Sequence, residues 1–218
     1  MNLIKIKISM YIILICVSTY LAIYRDAFIW EITFSKWLQT FSLGNFSFLR
    51  ESIFFMGIRG VAGVIMILLF GSFWLSKKRT EALFLALISV PDLINIWLKE
   101  IIGRPRPSQD MIDVVVGYGG IQGSGFPSGH ALHVVLFYGF ICYLMFNFLG
   151  KRTLTITVLC LTTAYIFITG LWLIYDGRHW IMDVLGGYLY GLFYLYILIL
   201  LYRSKTSKIS SFSNCEES

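Results

Sequence analysis

The chain has 218 residues, of which 57% are hydrophobic and 14% charged, and its mean hydropathy is +0.75. This composition excludes an ordinary water-soluble enzyme of this size and predicts an integral membrane protein. The net charge of +6 is interpreted as a signal of membrane orientation, with some attraction to anionic lipids, and not as a nucleic-acid binding surface.

Six nearly uncharged runs recur along the chain, and each is close to the roughly 20 residues that a helix needs to cross a bilayer core. They predict an all-α, polytopic membrane protein with six transmembrane helices in one bundle over residues 1–203, followed by a cytoplasmic tail at 204–218. The runs are 8–24, 60–76, 82–98, 131–150, 153–175 and 184–202. The first run is interpreted as a span and not as a cleaved signal peptide, because no small-residue cleavage pattern follows it.

Basic residues cluster at every second connection between the runs. Lys5 and Lys7 precede the first run, and further Lys and Arg residues follow the second, fourth and sixth. Because cytoplasmic loops are enriched in Lys and Arg, both termini are predicted to be cytoplasmic and residues 25–51, 99–127 and 176–183 extracytoplasmic. We expect such a chain in a bacterial inner membrane or a plasma membrane.

The segment after the first run carries an aromatic stripe. Its aromatic residues recur at helical spacing, at Trp30, Phe34, Trp37 and Phe41. Glu31 and Lys36 lie on the other side of the same helix, which predicts an interfacial amphipathic segment at about residues 27–49. This segment is either a cover over the bundle within an aromatic belt or a lateral entrance for a lipid head group.

Polar side chains also occur inside the predicted spans. Asp92 stands beside Pro91 and Asn95 in the third span, where an interhelical hydrogen bond is expected to satisfy it. His133 in the fourth span is expected to pack or to support neighbouring residues.

The three histidines of the chain lie at or near the extracytoplasmic ends of predicted helices. His130 begins the fourth span and His179 the sixth, so both are predicted to reach the same membrane face. Three basic residues of the preceding loop share that face, namely Lys99, Arg104 and Arg106. Imidazoles and fixed cations at one aqueous face suit an anion such as phosphate.

Residues 126–130 have the features of a helix start. Pro127 and Ser128 are favoured at that position, and Gly129 allows close approach of the backbone. The free N–H groups and the positive end of the helix dipole would point at a bound phosphate oxygen. A simple helix cap explains the Pro-Ser-Gly triplet equally well, and His130 directly after it favours the site.

His179 and Asp183 are separated by four residues, which places both on one face of a helix. A carboxylate there accepts one ring N–H, fixes the tautomer and leaves the other nitrogen free to attack an electrophile. Pairing with His179 also explains an Asp at the edge of a membrane span.

The four cysteines, at 16, 142, 160 and 215, lack the paired spacing of disulfides or metal ligands. We therefore predict no disulfide, no metal site and no cofactor. No nucleotide-binding P-loop is present in the sequence.

Together these motifs resemble the type 2 phosphatidic acid phosphatase (PAP2) superfamily. Its first motif, Lys-x6-Arg-Pro, runs here from Lys99 to Arg106-Pro107, and its second is residues 127–130. Its third motif is partial, because His179 and Asp183 match but Trp172 and Leu173 stand where Ser and Arg are expected.

The resemblance implies a metal-free, two-step phosphoryl transfer at the extracytoplasmic face. His179 would attack phosphorus, oriented by Asp183, while His130 protonates the leaving oxygen. The phosphoryl oxygens would be held by the remaining site residues, Lys99, Arg106, Ser128 and Gly129. The implied partner is a membrane-embedded phospholipid or a polyprenyl mono- or diphosphate.

The arginine absent from the third motif leaves one phosphate contact to be replaced. Arg178 is the first candidate, because it is the basic residue within that motif, and Arg104 is the second. Two other functions stay open from the sequence: a lipid phosphotransferase, or a degenerate protein that only binds lipid or phosphate. The oligomeric state is not predicted.

Overall fold

The computed structural model describes residues 3–24, 29–42, 51, 59–115 and 123–216. Regular structure in these residues is entirely helical. The helices are α1 (Leu3–Tyr24), α2 (Ile29–Gln39), α3 (Arg59–Leu75), α4 (Arg79–Leu87), α5 (Ser89–Ile102), α6 (Gly129–Leu149), α7 (Thr153–Tyr175) and α8 (Ile181–Glu216).

Five helical stretches are long and apolar enough to cross a membrane. They are Leu3–Tyr24, Arg79–Ile102, Gly129–Leu149, Thr153–Tyr175 and Ile181–Ser207. A shorter apolar helix, Gly63–Leu75, corresponds to the second predicted span. The prediction of an all-helical, multi-pass membrane protein is thereby confirmed.

The third predicted span is made of two helices, α4 and α5, that meet at Ile88. Ile88 keeps right-handed helical angles, with φ −60° and ψ −28°, so the chain continues in a helical course. Pro91 explains the interruption, since it has no N–H for the carbonyl of Leu87. At its other end, α5 stops at Gly103, whose φ of 63° turns the chain into the loop.

Helix α6 is the central helix of the bundle and packs against α7 and α8. The core around it is aromatic and aliphatic, and includes Leu132, Leu136, Phe137, Phe140, Tyr190, Leu198 and Tyr202. Two glycines of α8 allow backbone contact with α6: a Cβ at Gly187 would lie 2.5 Å from the Ser128 carbonyl oxygen, and one at Gly191 2.9 Å from that of Leu132. The starts of α6 and α8 are thereby held against each other.

Asp92 of α5 and His133 of α6 form a partly buried pair, with 2.7 Å between Oδ2 and Nδ1. We predict that Asp92→Ala lowers the free energy of unfolding by about 1–3 kcal/mol, because it leaves the buried Nδ1–H of His133 without this acceptor. Thermal unfolding in detergent measures the loss. Leu93→Ala is the matched control, since Leu93 is on the same helix and 60% exposed. An Asp92→Ala variant as stable as the control would show that the pair contributes no stability.

Helix α2 lies inside the predicted interfacial segment, but its orientation differs from the expectation. Trp30 and Trp37 are about half exposed, at 47% and 53%, whereas Glu31 and Ser35 are fully buried. The side of α2 that carries Glu31 therefore faces the bundle and not the solvent. An ion pair explains how a carboxylate is buried there, as described next.

Candidate active site

Residues from several parts of the chain meet at one end of the bundle. The end of α5 and the loop after it, the start of α6 and the connection before α8 enclose a cavity of about 320 Å³. Its lining residues are Ile96, Lys99, Glu100, Arg106, Gly123, Ser124, Gly129, His130 and His179. Five of the residues predicted from sequence are thus brought together, namely Lys99, Arg106, Gly129, His130 and His179. His179 was predicted to begin the sixth span, but α8 begins at Ile181 and His179 lies in the connection before it.

His179 is buried at the wall of this cavity. Its Nδ1 lies 3.4 Å from Asp183 Oδ2, and its Nε2 lies 3.4 Å from Nη1 of Arg106. Since Asp183 accepts and Arg106 donates, the proton is assigned to Nδ1 and the lone pair to Nε2. Burial lowers the pKa of His179 to about 3, and the charges of Lys99 and Arg106 act in the same direction. The imidazole is therefore neutral at pH 7.

Asp183 is held by donors on both of its carboxylate oxygens. Oδ2 also accepts from the backbone N–H of Trp180 at 3.0 Å, and Oδ1 accepts from Nη1 of Arg104 at 2.6 Å. The Asp183 carbonyl oxygen accepts from the Ser128 N–H at 2.9 Å, which joins the start of α8 to the start of α6. The carboxylate that orients His179 is therefore fixed by several contacts.

Arg104 does not reach the cavity. Its Nη1 contacts Asp183 and its Nη2 donates to Glu31 Oε2 at 2.7 Å, and all three side chains are 0% exposed. The sequence-based role of Arg104 in phosphate binding is not supported by this position. Glu31, which sequence analysis placed on the side of the helix opposite the aromatic stripe, is the contact residue that was not predicted.

Arg106 and Lys99 are fixed by main-chain carbonyl groups. Arg106 donates from Nη1 to the Arg178 carbonyl at 3.0 Å, and Lys99 Nζ donates to the carbonyls of Ser124 and Gly125 at 2.9 and 3.2 Å. Burial lowers the pKa of Arg106, while the charge of Asp183 opposes that shift. These carbonyl contacts orient the cations without cancelling their charge.

Ser128 caps α6 and is fully buried. Its Oγ accepts from the Ala131 N–H at 3.4 Å, while Gly129 and His130 after it line the cavity. The structure thus places Gly129 and His130 at the wall and the Ser128 hydroxyl in the helix cap.

Arg178 lies next to the cavity but is not among its lining residues. Its Nε is 3.6 Å from Asp176 Oδ2, and its side chain is 27% exposed. Leu173, at the position where the motif has arginine, packs in an apolar cluster with Ala131 and Val184. Leu173 therefore contributes packing where a phosphate contact was expected.

In the part of the chain that the structure describes, no group of three or more His, Cys, Asp or Glu residues could hold a metal ion. The donors around the cavity are mainly imidazoles, cations and backbone groups. Such a set suits an anion.

Comparisons with known proteins agree with the motifs. The family model described as "PAP2 superfamily" matches residues 79–207. The chain is 30% identical to phosphatidylglycerophosphatase B of Bacillus subtilis (strain 168) over 152 residues, which cover 68% of this chain and 69% of that protein.

A solved structure gives the fold. The crystal structure of the first transmembrane PAP2 type phosphatidylglycerolphosphate phosphatase, from Bacillus subtilis, superposes with a TM-score of 0.76 at 24% identity. The match covers 93% of this chain and 97% of that one.

Proposed function

Because the chain belongs to the PAP2 superfamily and is a membrane lipid phosphatase, we propose that it hydrolyses a lipid phosphomonoester or diphosphate at the extracytoplasmic face through a phosphohistidine intermediate. The observation that carries this proposal is the state of His179. Its Nδ1 pairs with Asp183 and its Nε2 lies beside Arg106 at the cavity wall, and burial lowers its pKa, which favours the neutral imidazole.

In the first step, the Nε2 lone pair of His179 forms a bond to phosphorus while the bond to the leaving oxygen breaks. His130, which lines the same cavity, protonates that oxygen, so the lipid leaves as an alcohol, or as a monophosphate when the substrate is a diphosphate. Lys99 and Arg106 stabilise the charge on the phosphoryl oxygens in the transition state.

In the second step, water attacks the phosphohistidine. His130 takes a proton from that water, the P–N bond breaks, and inorganic phosphate leaves with His179 regenerated. Asp183 holds the Nδ1 proton of His179 throughout and favours the positive charge that develops on the ring.

The extracytoplasmic location is supported by the charge pattern of the bundle ends. The cavity lies where α6 begins, whereas Lys78 packs 3.9 Å over the ring of Phe148, near the end of α6. The basic α3–α4 connection is thus at the opposite end, and Lys- and Arg-rich connections favour the cytoplasm.

Membrane-impermeant thiol labelling tests this orientation in a background without native cysteines. Gly119→Cys, outside the described residues, should be labelled from outside in intact cells, and Ser207→Cys only after permeabilisation. Labelling of both from the same side would contradict the proposed orientation.

Phosphatidylglycerophosphate is the first substrate to test, because the relative from Bacillus subtilis is named for it. Purified protein in detergent should release inorganic phosphate from it, or from phosphatidic acid or a polyprenyl diphosphate, in the presence of EDTA. The proposed site uses imidazoles and cations, so a strict Mg²⁺ requirement would contradict the mechanism. Absence of phosphate release from every lipid in the panel would contradict the proposed function.

The pH profile of kcat/KM follows from the state of His179. Its neutral form attacks, and since its pKa is about 3, protonation reduces the rate only when pH falls towards that value. We expect a plateau down to about pH 4 and a loss at high pH as His130 loses the proton that it donates. His130→Gln should abolish the high-pH loss. An acid limb near the ordinary histidine pKa of about 6.5 that persists in His130→Gln would contradict a neutral His179.

Gly125 is packed against the carboxylate of Asp183, and a Cβ at this position would lie 2.6 Å from Oδ2. That distance is too short, so Gly125→Ala must displace either the loop or the carboxylate that orients His179. We expect kcat to fall roughly 10- to 100-fold with little change in KM. Gly71→Ala is the control, because a Cβ there meets nothing within 4 Å. Equal kcat values for the two variants would contradict this role of the close packing.

A further inference from the structure

Three buried charges connect helix α2 to the proposed nucleophile. Glu31 of α2 contacts Arg104 of the loop, and Arg104 contacts Asp183 of α8, at 2.7 and 2.6 Å. The other Glu31 oxygen, Oε1, accepts from the Met182 N–H at 3.0 Å, next to Asp183 in the chain. All three side chains are 0% exposed, so the network is shielded from water.

The guanidinium of Arg104 divides its two terminal nitrogens between two carboxylates. An arginine facing a single carboxylate prefers to bind both oxygens at once. Here Glu31 occupies Nη2, so Arg104 contacts Asp183 through Oδ1 alone. Oδ2 of Asp183 is thereby left for the His179 Nδ1 and the Trp180 N–H.

The charges of Glu31 and Arg104 also favour the hydrogen bond between Asp183 and His179. Arg104 carries one positive charge, whereas Glu31 and Asp183 carry two negative charges in total. With Glu31 neutralised, the whole positive charge of Arg104 would act on Asp183 and weaken its bond to the imidazole N–H. The carboxylate of α2 thus helps Asp183 to keep the Nδ1 proton in place.

We propose that Glu31 is a positioning residue of this enzyme, which acts through Arg104 and Asp183 to hold His179 in its attacking tautomer and orientation. Helix α2 is on this basis a part of the catalytic unit. This inference rests on the proposed function, because it assigns a role in the chemistry of His179. It also gives Arg104 a positioning role in place of phosphate binding.

Steady-state kinetics of Glu31→Gln test the proposal. We expect kcat to fall roughly 10- to 100-fold while KM changes less than about twofold, because Glu31 does not line the cavity. Glu31→Asp keeps the charge but shortens the side chain, and should recover part of the loss. Ser35→Ala is the matched control on the same buried side of α2, and should keep full activity. A Glu31→Gln variant with unchanged kcat would overturn the proposal.

A double-mutant cycle separates positioning from general destabilisation. In Arg104→Lys, the single ammonium group replaces the two terminal guanidinium nitrogens, so the contacts with the two carboxylates cannot be made in the same geometry. If Glu31 acts through Arg104, Glu31→Gln should cost less than about threefold in an Arg104→Lys background. Losses that multiply in full would show that Glu31 acts independently. If Glu31→Gln cannot be purified, the cycle is measured with Glu31→Asp instead. With Arg104 intact, we expect Glu31→Asp to lower kcat by about 3- to 10-fold.

Nitrogen-15 NMR of the histidines gives a readout that does not depend on turnover. In the parent, the His179 shifts should report a protonated Nδ1 and a bare Nε2, and in Glu31→Gln the two tautomers should mix. Unchanged shifts would overturn the inference even if the enzyme is active. Absence of phosphate release by the parent, together with the expected shifts, would instead contradict the proposed function alone.

Discussion

Replacement of His179 by Gln is expected to reduce phosphate release by about 10⁴-fold or more, which makes it the most damaging single change in the chain. In the proposed mechanism this imidazole forms the bond to phosphorus, and glutamine has no comparable nucleophile. A loss of this size corresponds to about 5 kcal/mol of transition-state stabilisation. His179 is buried beside Asp183 and Arg106, and the other imidazole that lines the cavity, His130, is assigned to proton transfer in this mechanism.

The measurement pairs turnover with trapping of the intermediate. Rapid quenching of the parent with phosphorus-labelled lipid should yield labelled protein, and His179→Gln should yield none. His130→Gln is the informative comparison, because loss of the base should slow the second step and leave labelled protein to accumulate with activated substrates. Turnover of His179→Gln within tenfold of the parent would show that another group attacks phosphorus.

Replacement of Arg106 by Ala is expected to lower kcat/KM by roughly 10³-fold. Its Nη1 is 3.4 Å from His179 Nε2, so a phosphoryl group bound to that nitrogen would lie next to the guanidinium. A preorganised cation at this place stabilises the transition state by about 3–4 kcal/mol. Arg106→Lys should recover only part of this, since an ammonium group cannot bind two oxygens in one plane.

Arg178→Ala in the same assay measures how much a third cation contributes. We expect about a tenfold loss, smaller than for Arg106, because Arg178 is partly exposed and close to Asp176. Thermal unfolding of each variant is the control for folding. An Arg178 loss as large as that of Arg106 would show that Arg178 replaces the arginine missing at Leu173, as the sequence motif suggests.

Much of the cavity could be predicted from sequence, because its residues follow from local rules. His130 lies in the first turn of α6 as predicted, whereas His179 precedes α8, which begins at Ile181, and its contact with Asp183 is nevertheless made as the spacing of four residues suggested. Lys99 stands in the last turn of α5, and its carbonyl accepts the N–H of Gly103, the glycine that ends the helix. Each of these positions depends on residues within a few places in the chain.

The roles of Arg104 and Arg106 could not be separated in this way. They flank Pro105 in an irregular loop where the residue before proline is held extended, and in an extended chain residues two apart point to the same side. Local rules therefore predict one environment for both arginines, and only the tertiary structure shows that Arg104 is buried while Arg106 lines the cavity. Arg104 is the buried arginine because its guanidinium pairs with the buried carboxylates of Glu31 and Asp183.

The burial of Glu31 could not be predicted from the sequence either. A carboxylate opposite an aromatic stripe is typical of a solvated face, and its partner Arg104 is 73 residues away along the chain. Of the aromatic side of α2, Trp30 and Trp37 are instead about half exposed, while Phe34 packs against the bundle. A helix in a bilayer interface can expose its apolar side and bury its polar side, which inverts the rule for soluble proteins.

The backbone contact between α6 and α8 has a consequence for how substitutions in this protein should be interpreted. Gly187 and Gly191 have no room for even one methyl group against the main chain of α6, whereas most apolar positions of the spans face lipid or other side chains. A variant at Gly191, which does not line the cavity, would spread α6 and α8 and so displace His130 from His179 in the connection before α8. In a screen of random variants it would score as a catalytic defect without touching any substrate, while many bulkier exchanges at lipid-facing positions would pass unnoticed.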